Sequence, residues 1–115
     1  MKKFLKGFSY AFNGLGYTFS TQLNLKIHCL MTMLVIGLCF YLEINIMEWL
    51  WIIAAIGIVF MAELFNTALE VLVDMISPNY NPKAGIIKDI SAAIVLIAAF
   101  MALLTGILIL LPKLI

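Results

Sequence analysis

The chain has 115 residues, of which 65% are hydrophobic and only 11% charged, and its formal net charge is +1. Soluble domains run about 45–50% apolar and about 25% charged. This composition, with a mean hydropathy of +1.16, excludes a soluble globular domain. The near-neutral balance excludes a large basic surface and with it nucleic acid as a partner.

The length fits one domain over residues 1–115, since three helical spans of about 20 residues nearly use it up. The expected fold class is an all-α integral membrane protein with an N-terminal amphipathic interfacial helix plus three transmembrane helices. All seven positive residues are Lys. Any phosphate must therefore be met by Lys, backbone N–H groups or a metal rather than by a guanidinium fork.

In residues 1–25, Phe4, Phe8, Phe12, Leu15, Phe19 and Leu23 recur at helical spacing. Lys2, Lys3, Lys6, Ser9, Asn13, Ser20 and Thr21 fall largely between them. That pattern predicts an amphipathic helix, too polar to span and suited to lying in the membrane interface. No short apolar core with a small-residue cleavage site is evident, so this start is expected to remain in the mature protein. The first span is expected over 27–44, apolar apart from His28 and Thr32 up to Glu43. His28 reads as a satisfied interfacial side chain, and Cys29 and Cys39 as small buried hydrophobes.

Glu43, Asn45 and Glu48 mark a short acidic turn, and the second span is expected over 47–74. At 1.5 Å per residue it measures roughly 40 Å, long enough to cross and protrude. Two prolines and two asparagines in Ser77-Pro78-Asn79-Tyr80-Asn81-Pro82 then break the helix. A loop is expected over 75–88, and the third span over 89–111, with Asp89 in its first turn and Pro112 as a stop. Lysines at 2, 3, 6, 26, 83 and 88 lie before the first span and in the second loop, with only Lys113 opposed. The positive-inside rule then places the N-terminus and the polar end of the second span in the cytoplasm.

The far end of that second span carries the unusual chemistry. Glu63, Asn66, Glu70 and Asp74 fall within roughly 80° of arc on one helix face, while Leu64, Phe65, Leu69, Val71 and Leu72 cover the rest. A charge facing lipid costs on the order of 2.5–3.5 kcal/mol even by the gentlest scale. The stripe must face protein, water or a cation. Carboxylates beside an amide, with Lys88 and Asp89 across a short loop, suit a divalent cation carrying bound phosphates. The same stripe also suits a proton- or cation-coupled transporter, or polar packing in an oligomer. Neither GxxxxGK[ST] nor GxGxxG is present, so a nucleotide site here must be of another kind.

The segment AELFNTALEVLVD, followed by a turn, then Lys88-Asp89 and an apolar helix, resembles the prokaryotic diacylglycerol kinase family, whose signature is E-x-x-N-[ST]-A-[IL]-E-x-x-[VL]-D with KD about fourteen residues on. The start, from Lys3 through Tyr10 to Leu15, is similar to that family's surface helix. The family includes undecaprenol kinases, and Asn24-Leu25-Lys26-Ile27-His28 is similar to their N-F-R-I-H segment.

The resemblance implies a lipid kinase of the bacterial inner (cytoplasmic) membrane that transfers the γ-phosphoryl of ATP, with Mg2+ as cofactor, to diacylglycerol or undecaprenol. It implies Glu63 as general base, Glu70 as a magnesium ligand, and Asn66 and Asp74 as site-shaping residues. Lys3, Tyr10, Gln22, Glu70, Asn79, Tyr80, Asn81, Lys88 and Asp89 would contact ATP. It also implies a homotrimer with active sites shared between subunits. One position departs from the pattern. Gln22 stands where the family usually has a metal-binding Glu, so it offers a carbonyl oxygen without the charge, and a catalytically impaired family member is the alternative reading.

Overall fold

The computed structural model describes residues 1–115 and contains four helices and no strand: α1 (Lys2–Thr21), α2 (Leu23–Tyr41), α3 (Ile46–Ile76) and α4 (Pro82–Leu114). The last three are long and apolar enough to cross a membrane. This is the all-α, multi-pass architecture that the composition requires.

Local chemistry sets the boundaries, and several differ from the sequence expectation. The first helix ends at Thr21 rather than 25, because Gln22 is extended (φ −114°, ψ 112°). Three hydroxyls loosen this end: Thr18 donates to the Gly14 carbonyl, and Ser20 and Thr21 both donate to that of Tyr17. Such bonds compete with the helical ladder and favour a bend. The first span accordingly starts at Leu23 and ends at Tyr41, not at 27 and 44.

A reciprocal capping box starts α3 at Ile46: Asn45 Oδ1 accepts from the Glu48 N–H, and Glu48 Oε1 accepts from the Asn45 N–H. The helix runs 31 residues to Ile76, about 46 Å, longer than the 47–74 expected. The following loop is far shorter than 75–88. Asn81 caps α4 by accepting from the Lys83 N–H, and Pro82 takes the first helical position, where its missing N–H costs nothing. Lys88 and Asp89 are therefore inside the third span's helix, and Pro112 lies within its last turn rather than stopping it.

The most extensive helix–helix contact is between α3 and α4. One apolar cluster, of Cys39, Ile44, Ile52 and Leu110, closes the end near the α2–α3 turn. A second, of Val59, Ala62 and Ala98, packs the middle. Cys39 is fully buried and Cys29 partly so, both as free thiols. At the closed end Lys113 reaches Glu48 at 3.1 Å, which accounts for the one lysine on that side. Most other large apolar side chains, including Phe4, Phe8 and Phe12 on α1, are exposed. In a span-forming chain such surface meets lipid or other protein.

Candidate functional site

The interior of α3 changes character after Val59. Glu63, Asn66 and Thr67 are all buried, as is Ser91 on α4. Buried polar groups need partners, and here most have them. Thr67 donates to the Glu63 backbone carbonyl at 2.9 Å, a local solution open to any helical Thr. Asn66 is held from two sides: its Oδ1 accepts from Ser91 Oγ at 2.6 Å, and its Nδ2 donates to Glu70 Oε1 at 3.3 Å. The other oxygen of Glu70 accepts from Gln22 Nε2 at 3.4 Å. The bend after Thr21 thus delivers Gln22 to the acidic stripe.

One turn beyond Glu70, Asp74 Oδ1 accepts from Lys88 Nζ at 2.6 Å. The pair is largely exposed, so its direct contribution to stability is small. Its consequence is placement, since it holds the amine of α4 beside the acidic face of α3. Asp89 is exposed on the same helix.

Glu63 is the exception among the buried polar groups. It is 0% exposed, and neither carboxylate oxygen has a hydrogen-bond partner. His28 Nε2 lies 3.3 Å from Oε1, within ion-pair range but without hydrogen-bond alignment. An unpartnered buried carboxylate is costly. Its position suits a group that must receive a proton.

The structure therefore brings Gln22, Glu63, Asn66, Glu70, Asp74 and Lys88 along one seam between α2, α3 and α4. None of the remaining expected residues is tied to that seam by a hydrogen bond or ion pair of its side chain. Lys3 and Tyr10 lie on α1 with their side chains exposed, and Tyr80 is almost fully so. The Asn79 carbonyl accepts from Ser77 Oγ, and the Asn81 side chain is engaged as the α4 cap. Two residues escaped the sequence reading. His28 is turned to Glu63 rather than being a plain interfacial side chain, and Ser91 anchors Asn66. The available signal for Ser91 was its spacing of three from Lys88, which puts both on one face of α4.

No three His, Cys, Asp or Glu side chains of one chain converge as a metal cluster. What the seam offers a hard cation is the Glu70 carboxylate and, once the amide that here donates its Nε2 to Glu70 turns over, the Gln22 carbonyl oxygen.

A sequence profile of prokaryotic diacylglycerol kinases matches residues 9–110. The undecaprenol kinase of Bacillus subtilis (strain 168) is 37% identical over 114 residues, covering 99% of this chain and 93% of that one. The diacylglycerol kinase of Synechocystis is 37% identical over 111 residues, covering 96% of this chain and 63% of that one. That of Escherichia coli (strain K12) is 25% identical over 103 residues, 90% and 84% of the two chains. Fold, seam and sequence together define a membrane lipid kinase, a phosphotransferase acting on an alcohol group. The chain belongs to the prokaryotic diacylglycerol kinase family. A transporter is disfavoured on the same grounds.

Proposed function

We propose that this protein transfers the γ-phosphoryl group of ATP to the primary hydroxyl of a membrane lipid at the cytoplasmic face of the bacterial inner membrane, and that undecaprenol is its preferred acceptor. The observation that carries the acceptor is the match along nearly the whole of both chains to the B. subtilis undecaprenol kinase, reinforced by the Asn24-Leu25-Lys26-Ile27-His28 segment. Diacylglycerol, named for the other relatives, is the alternative.

Phosphoryl transfer asks little covalent chemistry of a protein; it asks for position and charge. In this reading Glu63 accepts the hydroxyl proton. The lipid oxygen bonds to the γ-phosphorus, the bond to the β,γ-bridging oxygen breaks, and its electron pair leaves with ADP. Burial of Glu63 excludes water from the base. Lys88, held by Asp74, faces the phosphates, and Asn66, fixed by Ser91, orients Glu70. Asp89, Lys3, Tyr10 and the Asn79-Tyr80-Asn81 turn complete the nucleotide site.

Glu70 and Gln22 fit Mg2+ in donor type, because this ion is commonly bound by one or two carboxylates with phosphate oxygens and several waters making up the rest. When bound, it neutralises charge on the phosphates. With Gln22 where the family usually has a second carboxylate, this chain would take up the ion chiefly as Mg-ATP.

Because Lys3 and Tyr10 are exposed on α1, and so much apolar surface is bare, we infer a homotrimer in which α1 of one copy completes the nucleotide site of another. Cross-linking in detergent micelles and in membranes tests that assembly.

The function is tested by presenting purified protein in micelles with ATP radiolabelled in the γ-phosphoryl and either lipid. Label should enter undecaprenol in preference to diacylglycerol. Preference for diacylglycerol would reverse the acceptor, and no label in either lipid would overturn the reading.

A further inference from the structure

Helices α2 and α3 meet along the polar seam so that two carboxylates of α3, Glu63 and Glu70, each face one polar group from the start of α2. Gln22 donates to Glu70, and six residues later His28 Nε2 stands 3.3 Å from Glu63 Oε1. Glu63 and Glu70 are seven residues apart, about 10 Å along the helix. The two contacts are thus successive points of one register, set by the bend at Gln22.

The second contact is chemically the more demanding. Glu63 is wholly enclosed and has no hydrogen bond to either oxygen. Its surroundings include Val59, Ala62 and Thr67, and Thr67 spends its hydroxyl on the backbone. His28 is the basic side chain within reach. Its ring is 24% exposed, and it borders a cavity of about 580 Å3 between α2, α3 and α4, whose other walls, such as Val35, Ile56 and Leu103, are apolar apart from Thr32. His28 therefore stands between the buried carboxylate and an apolar space. At 3.3 Å the two atoms are within hydrogen-bond distance though not aligned, and catalytic hydrogen bonds are often long or poorly aligned before substrate is bound.

We propose that His28 is a positioning residue for Glu63: its Nε2–H engages Oε1 and leaves Oε2 as the oxygen that takes the lipid hydroxyl proton. This rests on Glu63 being the base. The proton from the hydroxyl ends on Oε2, the lipid oxygen gains its bond to phosphorus, and ADP carries away the electron pair. His28 keeps its own proton throughout. A hydrogen bond to a charged group contributes about 1.5–3 kcal/mol, roughly ten- to a hundredfold in rate.

The test compares His28→Leu and His28→Met, which remove the donor, with His28→Gln, which returns an N–H at similar reach. Initial rates, ATP binding and thermal unfolding are measured on each. In whichever apolar variant folds, kcat should fall ten- to hundredfold, while the KM values for ATP and lipid and the affinity for ATP stay within about twofold. His28→Gln should recover kcat to within about threefold of wild type.

Three results would overturn the proposal: an unchanged kcat in the apolar variants, a loss confined to the lipid KM as expected of a residue that merely lines the cavity, or a Gln variant as impaired as the apolar ones. Glu63→Gln, assayed in parallel, keeps the two ideas separate. If it loses turnover while His28→Leu does not, only the role of His28 falls; if it retains turnover, the base assignment falls first.

Discussion

Residues 46–59 and 62–73 of α3 are both packed against neighbouring helices, yet they use burial for opposite ends. In the first stretch Ile52 sits 2% exposed among Cys39, Ile44 and Leu110. Apolar meets apolar, and nothing is left unsatisfied. In the second, Glu63, Asn66 and Thr67 are buried. Two of them have found partners, and the third has only a misaligned imidazole. Burial in the first stretch stabilises the bundle; in the second it raises the cost of a charge, which natural proteins tolerate mainly where chemistry needs it.

The comparison breaks most visibly at Glu70. Replacing it by Gln removes the carboxylate proposed to hold Mg2+, so turnover at ordinary Mg2+ should fall on the order of a thousandfold, as measured by initial rates, with the thermal midpoint little changed. Lys88→Ala comes next. The apparent KM for ATP should rise roughly tenfold, the loss of one charge-assisted contact, while the lipid KM holds. An unchanged ATP KM would remove Lys88 from the phosphates.

The opposite signature is expected in the apolar stretch. Ile52→Ala should destabilise by about 2–5 kcal/mol, read as a lower thermal midpoint, and leave kcat per folded molecule as it was. Lost turnover with intact stability would mean that the two stretches are not separable. The smallest effect is expected at Gln22. Gln22→Glu restores the charge that the family pattern carries and should lower the Mg2+ needed for half-maximal rate a few-fold at fixed ATP. An equal or higher requirement would withdraw Gln22 from the metal.

Much of this was legible in the sequence, because hydrophobic runs and one-face acidic spacing are local properties. The four helices, the acidic stripe and the α3 to α4 turn all follow from them. What escaped depends on competition or on distance along the chain. The bend at Gln22 reflects hydroxyls of Thr18, Ser20 and Thr21 drawing on carbonyls of α1, which composition suggests only weakly. The early start of α4 reflects Asn81 capping a helix opened by Pro82, where the same residues read equally well as loop. The pairs His28–Glu63 and Ser91–Asn66 join different helices, and no spacing rule within one helix reports them.

The role proposed for the enclosed carboxylate of Glu63 is that of the base that deprotonates the lipid hydroxyl. It is tested most directly with Glu63→Gln, which keeps the shape of the side chain and removes its capacity to take the proton. Transfer of labelled γ-phosphoryl to lipid and equilibrium binding of ATP are measured on the same preparation. General base catalysis contributes about 10²–10⁴-fold, so transfer should fall by at least that range's lower bound while ATP affinity stays within about twofold. Undiminished transfer, or transfer lost only because ATP no longer binds, would contradict it.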